Sequence, residues 1–332
     1  MKKTTNIRDI AKSAQVSIAT VSRYINKRGY VSDVAVEKIK KAIKQTGYVP
    51  NELARSLFRK NSKTIGVLVP NIANPLFNQL VLHIEKKARV LGYSVFLSNT
   101  DDNAEKETSA LNVLMQNRVA GIITVRSHCT TEYKHIAIPV VAGENHIAPH
   151  IPVVACNDEL GGRLAFKHLY ECGCKKLLHI KGPHTFEATE ARCRGFLLEA
   201  KKKKIECDTL ELSRDFYETI LEDEIERLHF TKRYDGIFVF NDITAAAIMR
   251  RLISLGISIP HQTKVIGFDN SFLGKLTSPS LSTIEQPIED LAEKMISLLF
   301  SRIGKKTKFS SKHVEDYFAK PRLIVRESTK EK

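Results

Sequence analysis

Between Ile7 and Ile43 the apolar residues recur at helical spacing, whereas from Thr64 onward they gather into short unbroken runs separated by amphipathic stretches. The first pattern predicts three short helices. Ile7, Ile10, Ala11 and Ala14 share one face, and Asn6 followed by Asp9 has the spacing of a capping box. After a turn at Gln15 and Val16, Ser17 suits the cap of a second helix. In it Val21, Tyr24 and Ile25 face inward, and Ile18, Ala19, Ser22 and Arg23 face outward. Ser32 opens a third helix with Val36, Ile39 and Ile43 in its buried stripe, and Gly47 stands where a left-handed stop is wanted. Pro50 prevents that helix from continuing. Asn51 suits a new cap, but Glu52 to Phe58 is too short to be a stable helix alone in water.

The second pattern is β-rich, with apolar runs at Thr64 to Pro70, Tyr93 to Ser98, Gly121 to Val125, Val140 to Ala142, Leu177 to Ile180, Gly236 to Phe240 and Lys264 to Phe268. Helix-length segments lie between them. Alternating strand and helix implies parallel sheets covered on both faces, and so many strands imply two sheets. Such a fold binds its ligand beyond the carboxyl ends of the strands.

Charge separates the same two regions. The first 63 residues carry fifteen Lys or Arg against four Asp or Glu, which is +11 of the chain's +15, while the remaining 269 carry only +4. An anionic partner for the head, with nucleic acid the obvious candidate, follows from that asymmetry. At 332 residues with 42% apolar, the chain suits a small head and a two-lobed body. Its start, MKKTTNIRD, has no apolar run behind the lysines, and no stretch approaches a membrane span, so a cytoplasmic protein is expected. Six dispersed cysteines, without zinc spacing, read as reduced thiols, and no metal or other cofactor is expected.

The string Ile10-Ala11-Lys12, Val16-Ser17, Ala19-Thr20-Val21-Ser22-Arg23 and Ile25-Asn26, with Gly47-Tyr48-Val49-Pro50-Asn51 and Ala54-Arg55-Ser56-Leu57, resembles the lactose and galactose repressor (LacI/GalR) family. The resemblance covers essentially the whole chain. It implies a small all-α helix-turn-helix head over residues 1–49 and a connector over 50–63. The α/β periplasmic-binding-protein-like body, 64–332, would have two parallel-sheet lobes: about 64–161 with 289–318, and about 162–288 with 319–332. Ile18 and Ala19 match variable base-reading positions, where apolar side chains touch thymine methyls, and Arg23 matches a base-reading position suited to guanine O6 and N7. Thr20 and Ser22, with Asn26, suit phosphate contacts, and Ser17, the cap, is expected among the DNA-binding residues. In the family, paired connector helices fold in the minor groove of a pseudo-palindromic operator. Leu57 matches the wedge residue there, with Asn51, Ala54 and Arg55 around it.

In the body, the resemblance implies a carbohydrate effector bound by Asn74, Leu76, Phe77, Glu144, Arg192, Phe216, Asn241, Asp269 and Gln286. A carboxylate, amides, a guanidinium and aromatic faces are what a buried polyhydroxylated ring requires. Asp242 reads as a helix cap rather than a ligand contact. Two departures stand out. Gln15 occupies a turn position where most relatives have Gly, at a cost of about 1 kcal/mol if the left-handed geometry is kept. Glu144-Asn145 stands where relatives that bind simple sugars commonly show Asp-Arg, which removes a planar fork of donors. Lys201 to Lys204 reads as a solvated helix end, and His146 and His150 as unligated loop residues. No long heptad follows Arg326, so a homodimer is expected.

The leading expectation is a repressor of a carbohydrate-utilisation operon, controlled by a sugar or sugar phosphate. A global catabolite regulator, controlled by a phosphorylated carrier protein, is the alternative, since Val16 to Arg23 also resembles that branch. A transport binding protein would share the body but not the head. An enzyme is not expected, because no Gly-rich phosphate loop, Ser-His-Asp order or metal-spaced cluster occurs.

Overall fold

A computed structural model describes residues 6–26, 29–48, 62–212, 234–304 and 315–330. The connector positions Asn51, Ala54, Arg55 and Leu57, and Phe216 of the body, lie outside these residues. The chain divides into two compact units, Met1–Ser62 and Lys63–Lys332.

The first unit packs three helices, α1 (Ile7–Ala14), α2 (Ile18–Asn26) and α3 (Asp33–Thr46). The capping box forms as the spacing predicts: Asn6 Oδ1 accepts from Arg8 and Asp9 N–H, and Asp9 Oδ2 accepts from Asn6 N–H at 2.9 Å. Gln15 is left-handed at φ 53°, so the turn keeps the geometry for which glycine is favoured. Ser17 Oγ caps α2 through Thr20 N–H, Ser32 caps α3, and Gly47 closes it at φ 64°. Ile10, Ala11, Ala14, Val21, Ile39 and Ala42 form the buried centre, with Tyr24 and Ile25 packed against it.

The second unit begins β1 (Thr64–Val69), α4 (Pro75–Val90), β2 (Ser94–Asn99), α5 (Ala104–Gln116), β3 (Ile122–Thr124) and β4 (Val140–Ala142). These strands form a parallel sheet in the order β2-β1-β3-β4. After β5 (Val154–Cys156) come α6 (Asp158–Glu171), β6 (Lys176–Lys181), α7 (Glu187–Lys203), β7 (Glu206–Glu211), β8 (Gly236–Val239), α8 (Asp242–Ser254), β9 (Lys264–Asp269), the short α9 (Leu273–Leu276) and β10 (Ser282–Glu285). With β12 (Arg322–Ile324) they make a second sheet, β12-β10-β9-β8-β6-β7, antiparallel only between β10 and β12. Helix α10 (Ile288–Arg302) returns to the first lobe, where Leu291, Ala292, Met295 and Leu299 join a core with Leu80 and Ile84 of α4. Strand β11 (Tyr317–Ala319) pairs with β5. The chain therefore passes between lobes three times, after β5, β10 and β11.

Two glycines set the packing of α6 on α7. A Cβ on Gly162 would lie 2.0 Å from the Arg192 carbonyl oxygen, and one on Gly195 would lie 2.0 Å from that of Glu159. Only glycine admits backbones this close. The four-lysine run ends α7, with Lys204 as its left-handed cap at φ 54°. No described helix is long and apolar enough to cross a membrane.

Candidate functional site

In the head, α2 presents Ile18, Ala19 and Arg23 to solvent, and Ile18 is 46% exposed. Thr20 and Ser22 are half-buried. Ser17 Oγ lies 2.8 Å from Thr20 Oγ1, and Asn26 Nδ2 donates to Ser22 Oγ at 3.2 Å. These polar side chains are thus ordered along one flank of the helix. An apolar tip beside an exposed guanidinium suits a major groove. Arg8, Lys12, Lys38, Lys41 and Lys44 are also exposed on this unit.

In the body, the candidate side chains collect at the carboxyl ends of the strands. Asn74, after β1, and Asn241, after β8, each cap the following helix: Asn74 Oδ1 accepts from Leu76 N–H at 3.0 Å, and Asn241 Oδ1 from Thr244 N–H at 2.9 Å. Asn157 caps α6 in the same way. The carbonyl oxygens of these amides are therefore committed to helix starts. Asp242 is not the cap expected from its position. It is fully buried, accepting from Thr283 Oγ1 at 2.6 Å and Ser271 N–H at 2.7 Å. Burial pushes its carboxyl up to about 7, against the pull of those two donors. Leu76 sits in the apolar core of the first lobe, as does Phe77, whose ring also lies under a guanidinium described below.

Arg192 is the centre of the second lobe's site. It is 5% exposed, donates from Nε to Asp158 Oδ1 at 2.7 Å and from Nη1 to the Phe240 carbonyl at 2.6 Å, and lies 3.7 Å from the centroid of the Phe268 ring. Asp269 Oδ1 is 4.0 Å from Nη1 and accepts from Gln286 Nε2 at 2.9 Å. The backbone of Asp269 is at φ 109°, a conformation that L residues rarely adopt and that is typically held in place at functional sites. Burial raises the Asp269 carboxyl to about 8 even though Arg192 draws it down. Asp158 is raised too, again chiefly by burial.

The first lobe corrects the expectation built on Glu144-Asn145. A guanidinium is present, but it comes from Arg126, after β3. Its Nε donates to Glu144 Oε2 at 2.6 Å, and Nη1 donates to both Asp102 oxygens at 3.0 and 3.1 Å. Glu144 is held by this contact. Asn145 turns away and exchanges hydrogen bonds with the Ser127 backbone. Burial works against the Arg126 charge, yet Glu144 and Asp102 more than compensate and raise its pKa. Asp102, which burial alone would raise, is instead lowered by His128 and Arg126. The guanidinium carbon is 5.7 Å from the Phe77 centroid and 4.1 Å from that of Phe186, which precedes α7 in the second lobe.

Arg126, Asp102, Asp158 and Phe186 escaped the sequence reading. A faint signal existed for two of them. Arg126 is a charge set directly after the buried run Gly121 to Val125, and Asn157-Asp158 repeats the Asn241-Asp242 pair that opens α8. His146 Nε2 pairs with Asp316 at 2.8 Å. Among the described residues, no group of three or more His, Cys, Asp or Glu is placed to hold a metal ion.

Comparison with known proteins agrees with both units. Residues 6–51 match the bacterial regulatory proteins of the lacI family, and residues 166–329 match the periplasmic binding protein-like domain. A ribose operon repressor of Halalkalibacterium halodurans is 40% identical, spanning 98% of this chain and 97% of that protein. A sucrose operon repressor of Streptococcus mutans is 35% identical over 89% of this chain and 92% of its own length. A periplasmic binding protein/LacI transcriptional regulator from Alkaliphilus metalliredigens, solved in complex with D-xylulofuranose, is 50% identical, with a TM-score of 0.72, covering 81% of this chain and 100% of that one. The lac repressor dimer bound to operator shares the fold at a TM-score of 0.84 and 24% identity, over 98% of this chain and 99% of that one. With a relative 40% identical along nearly its full length and a matching head, this chain belongs to the lacI family of bacterial regulatory proteins.

Proposed function

We propose that the protein is a cytoplasmic, homodimeric repressor that reads a pseudo-palindromic operator with α2 and the connector, and that a small carbohydrate bound between the body's lobes controls it. The observation that carries this reading is the Arg192–Asp158–Asp269–Gln286 constellation, buried at the strand ends of the second lobe, with Arg126 of the first lobe acting electrostatically on Asp158 and lying over the Phe186 ring. Hydroxyl groups both donate and accept, so a cleft offering carboxylates beside guanidinium and amide donors can satisfy each one. The 50%-identical relative's complex with D-xylulofuranose and the operator complex of the lac repressor dimer support the two halves of the proposal. In the head, Arg23 and the apolar pair Ile18-Ala19 read bases, while Ser17, Thr20, Ser22 and Asn26 fix the register. Leu57, with Asn51, Ala54 and Arg55, acts in the minor groove.

Closure of the lobes on a ligand changes the relation between the two first lobes of a dimer, and so the spacing of the two heads. The switch is the difference in ligand affinity between the DNA-competent and DNA-released states. Selection of duplexes from a random pool, followed by titration with sugars at fixed salt, tests it. A palindromic site bound roughly a thousandfold or more above bulk DNA, and weakened by a pentose, is the expected result. Equal affinity for all duplexes would overturn it.

A further inference from the structure

The first lobe's guanidinium raises a question of ligand class, because both arginines of the cleft are already neutralised. Arg126 is held by Glu144 and by both oxygens of Asp102. Arg192 is held by Asp158 at 2.7 Å with Asp269 at 4.0 Å. Lys181, at the end of β6, is spoken for by Glu190 and Glu211. His128 Nε2 lies on Asp102 Oδ1 at 3.1 Å. Three carboxylates and the proton-holding Asp269 thus face two guanidinium groups, and no cation among these is left over for an anion.

We propose that Arg126 is the specificity-determining residue of the first lobe, and that its carboxylate cage makes the cleft select an uncharged, hydroxyl-rich furanose while rejecting the phosphate esters of the same sugar. The inference rests on the carbohydrate reading above and narrows it. Arg126 commits Nε to Glu144 and Nη1 to Asp102, so Nη2 is the edge of the fork that a ligand acceptor would meet, and the guanidinium carbon lies 5.7 and 4.1 Å from the Phe77 and Phe186 centroids. A hydroxyl accepts from that fork and donates to Glu144, Asp102 or Asp269. A phosphate dianion only accepts, and would meet carboxylates with no uncompensated positive charge to repay its desolvation.

The test uses the full-length protein, with titration calorimetry and thermal shift against D-xylulose, D-ribose and their 5-phosphates. Wild type should bind a free pentose at least about 100-fold more tightly than its phosphate. Arg126→Met should weaken the free pentose by roughly tenfold or more, and Arg126→Lys should not restore it, since an ammonium lacks the fork. The decisive variant is the double substitution Asp102→Asn with Glu144→Gln. Uncaging Arg126 should move the phosphate-to-pentose affinity ratio at least about tenfold toward phosphate, a gain that lost stability would not produce. Phosphates that bind wild type as well as free pentoses, an unchanged ratio in the double variant, or wild-type affinity in Arg126→Met would each overturn the proposal and leave the carbohydrate reading standing. If no free or phosphorylated sugar binds wild type, the carbohydrate reading fails and this inference falls with it.

Discussion

Replacing Gly195 with alanine should destabilise the body more than any surface change of similar size, and should disturb the effector site without touching a polar group. The new Cβ would sit 2.0 Å from the Glu159 carbonyl oxygen and 2.9 Å from its carbon. Carbon and carbonyl oxygen in contact normally stay about 3.3 Å apart, so α6 and α7 must part by more than 1 Å or so. The obstruction is backbone, and no rotamer change relieves it. Gly162 makes the reciprocal close approach, where an added Cβ would lie 2.0 Å from the Arg192 carbonyl oxygen, so a shift of α7 also carries Arg192 away from Asp158. Overpacking of this kind costs about 1 to 3 kcal/mol, and backbone contacts place it at the upper end. For a body of this size, 3 kcal/mol corresponds to a fall in Tm of about 6 to 12 °C. Scanning calorimetry measures the fall, and titration calorimetry should show weakened sugar binding in parallel. Gly173→Ala is the control: that site is open but left-handed at φ 83°, so it should lose only about 1 kcal/mol and leave ligand affinity alone. A Gly195→Ala protein melting within a degree or so of wild type, with unchanged affinity, would refute the close-packing argument.

Asp269 is raised to about 8 in the folded protein, far above the range of an unfolded aspartate near 3.9, so the folded state holds its proton longer. The stability this confers is complete below about pH 4 and is lost as pH rises toward 8, the unfolded chain having already released the proton. Asp269→Asn should remove this dependence, so urea titrations at pH 5 and 8 should show wild type losing more stability than the variant over that interval; parallel losses would contradict the buried-acid assignment. Gln15→Gly should stabilise the head by about 1 kcal/mol through relief of the left-handed strain, read as slower proteolysis within residues 6–48. Arg23→Ala should cost about 1 to 3 kcal/mol on the selected operator and relax preference at one base position, whereas a loss equal across all operator variants would make Arg23 a phosphate contact.

The head was legible because its signals are local. A capping box spans three residues and a helix stripe repeats every three or four, so Asn6, Asp9, Ser32, Gly47 and the buried Ile10, Val21 and Ile39 all follow from spacing. The long apolar strands were equally visible. Of the three-residue strands, β3 and β4 showed as apolar runs whereas β5, β11 and β12 did not stand out, and the largely polar β7 and β10 offered no apolar run to detect. Asp242 was misjudged for a related reason: an Asp before a helix reads as a cap, and only the packed lobe shows that Asn241 takes that role and leaves Asp242 to join Ser271 and Thr283.

What the amino-acid order determined by itself was the basic three-helix head, the alternating strands and helices of two sheets, and the types of side chain gathered at the strand ends. What only the tertiary structure decided was which of those side chains meet. Arg126 is 18 residues from Glu144 and 24 from Asp102, and it reaches both because β1 and β3 stand between β2 and β4 in the sheet, bringing the loops after β2, β3 and β4 to one rim. Hydrogen bonding along the chain acts over about four residues, whereas the partners of a buried charge are set by strand order, which no local spacing encodes.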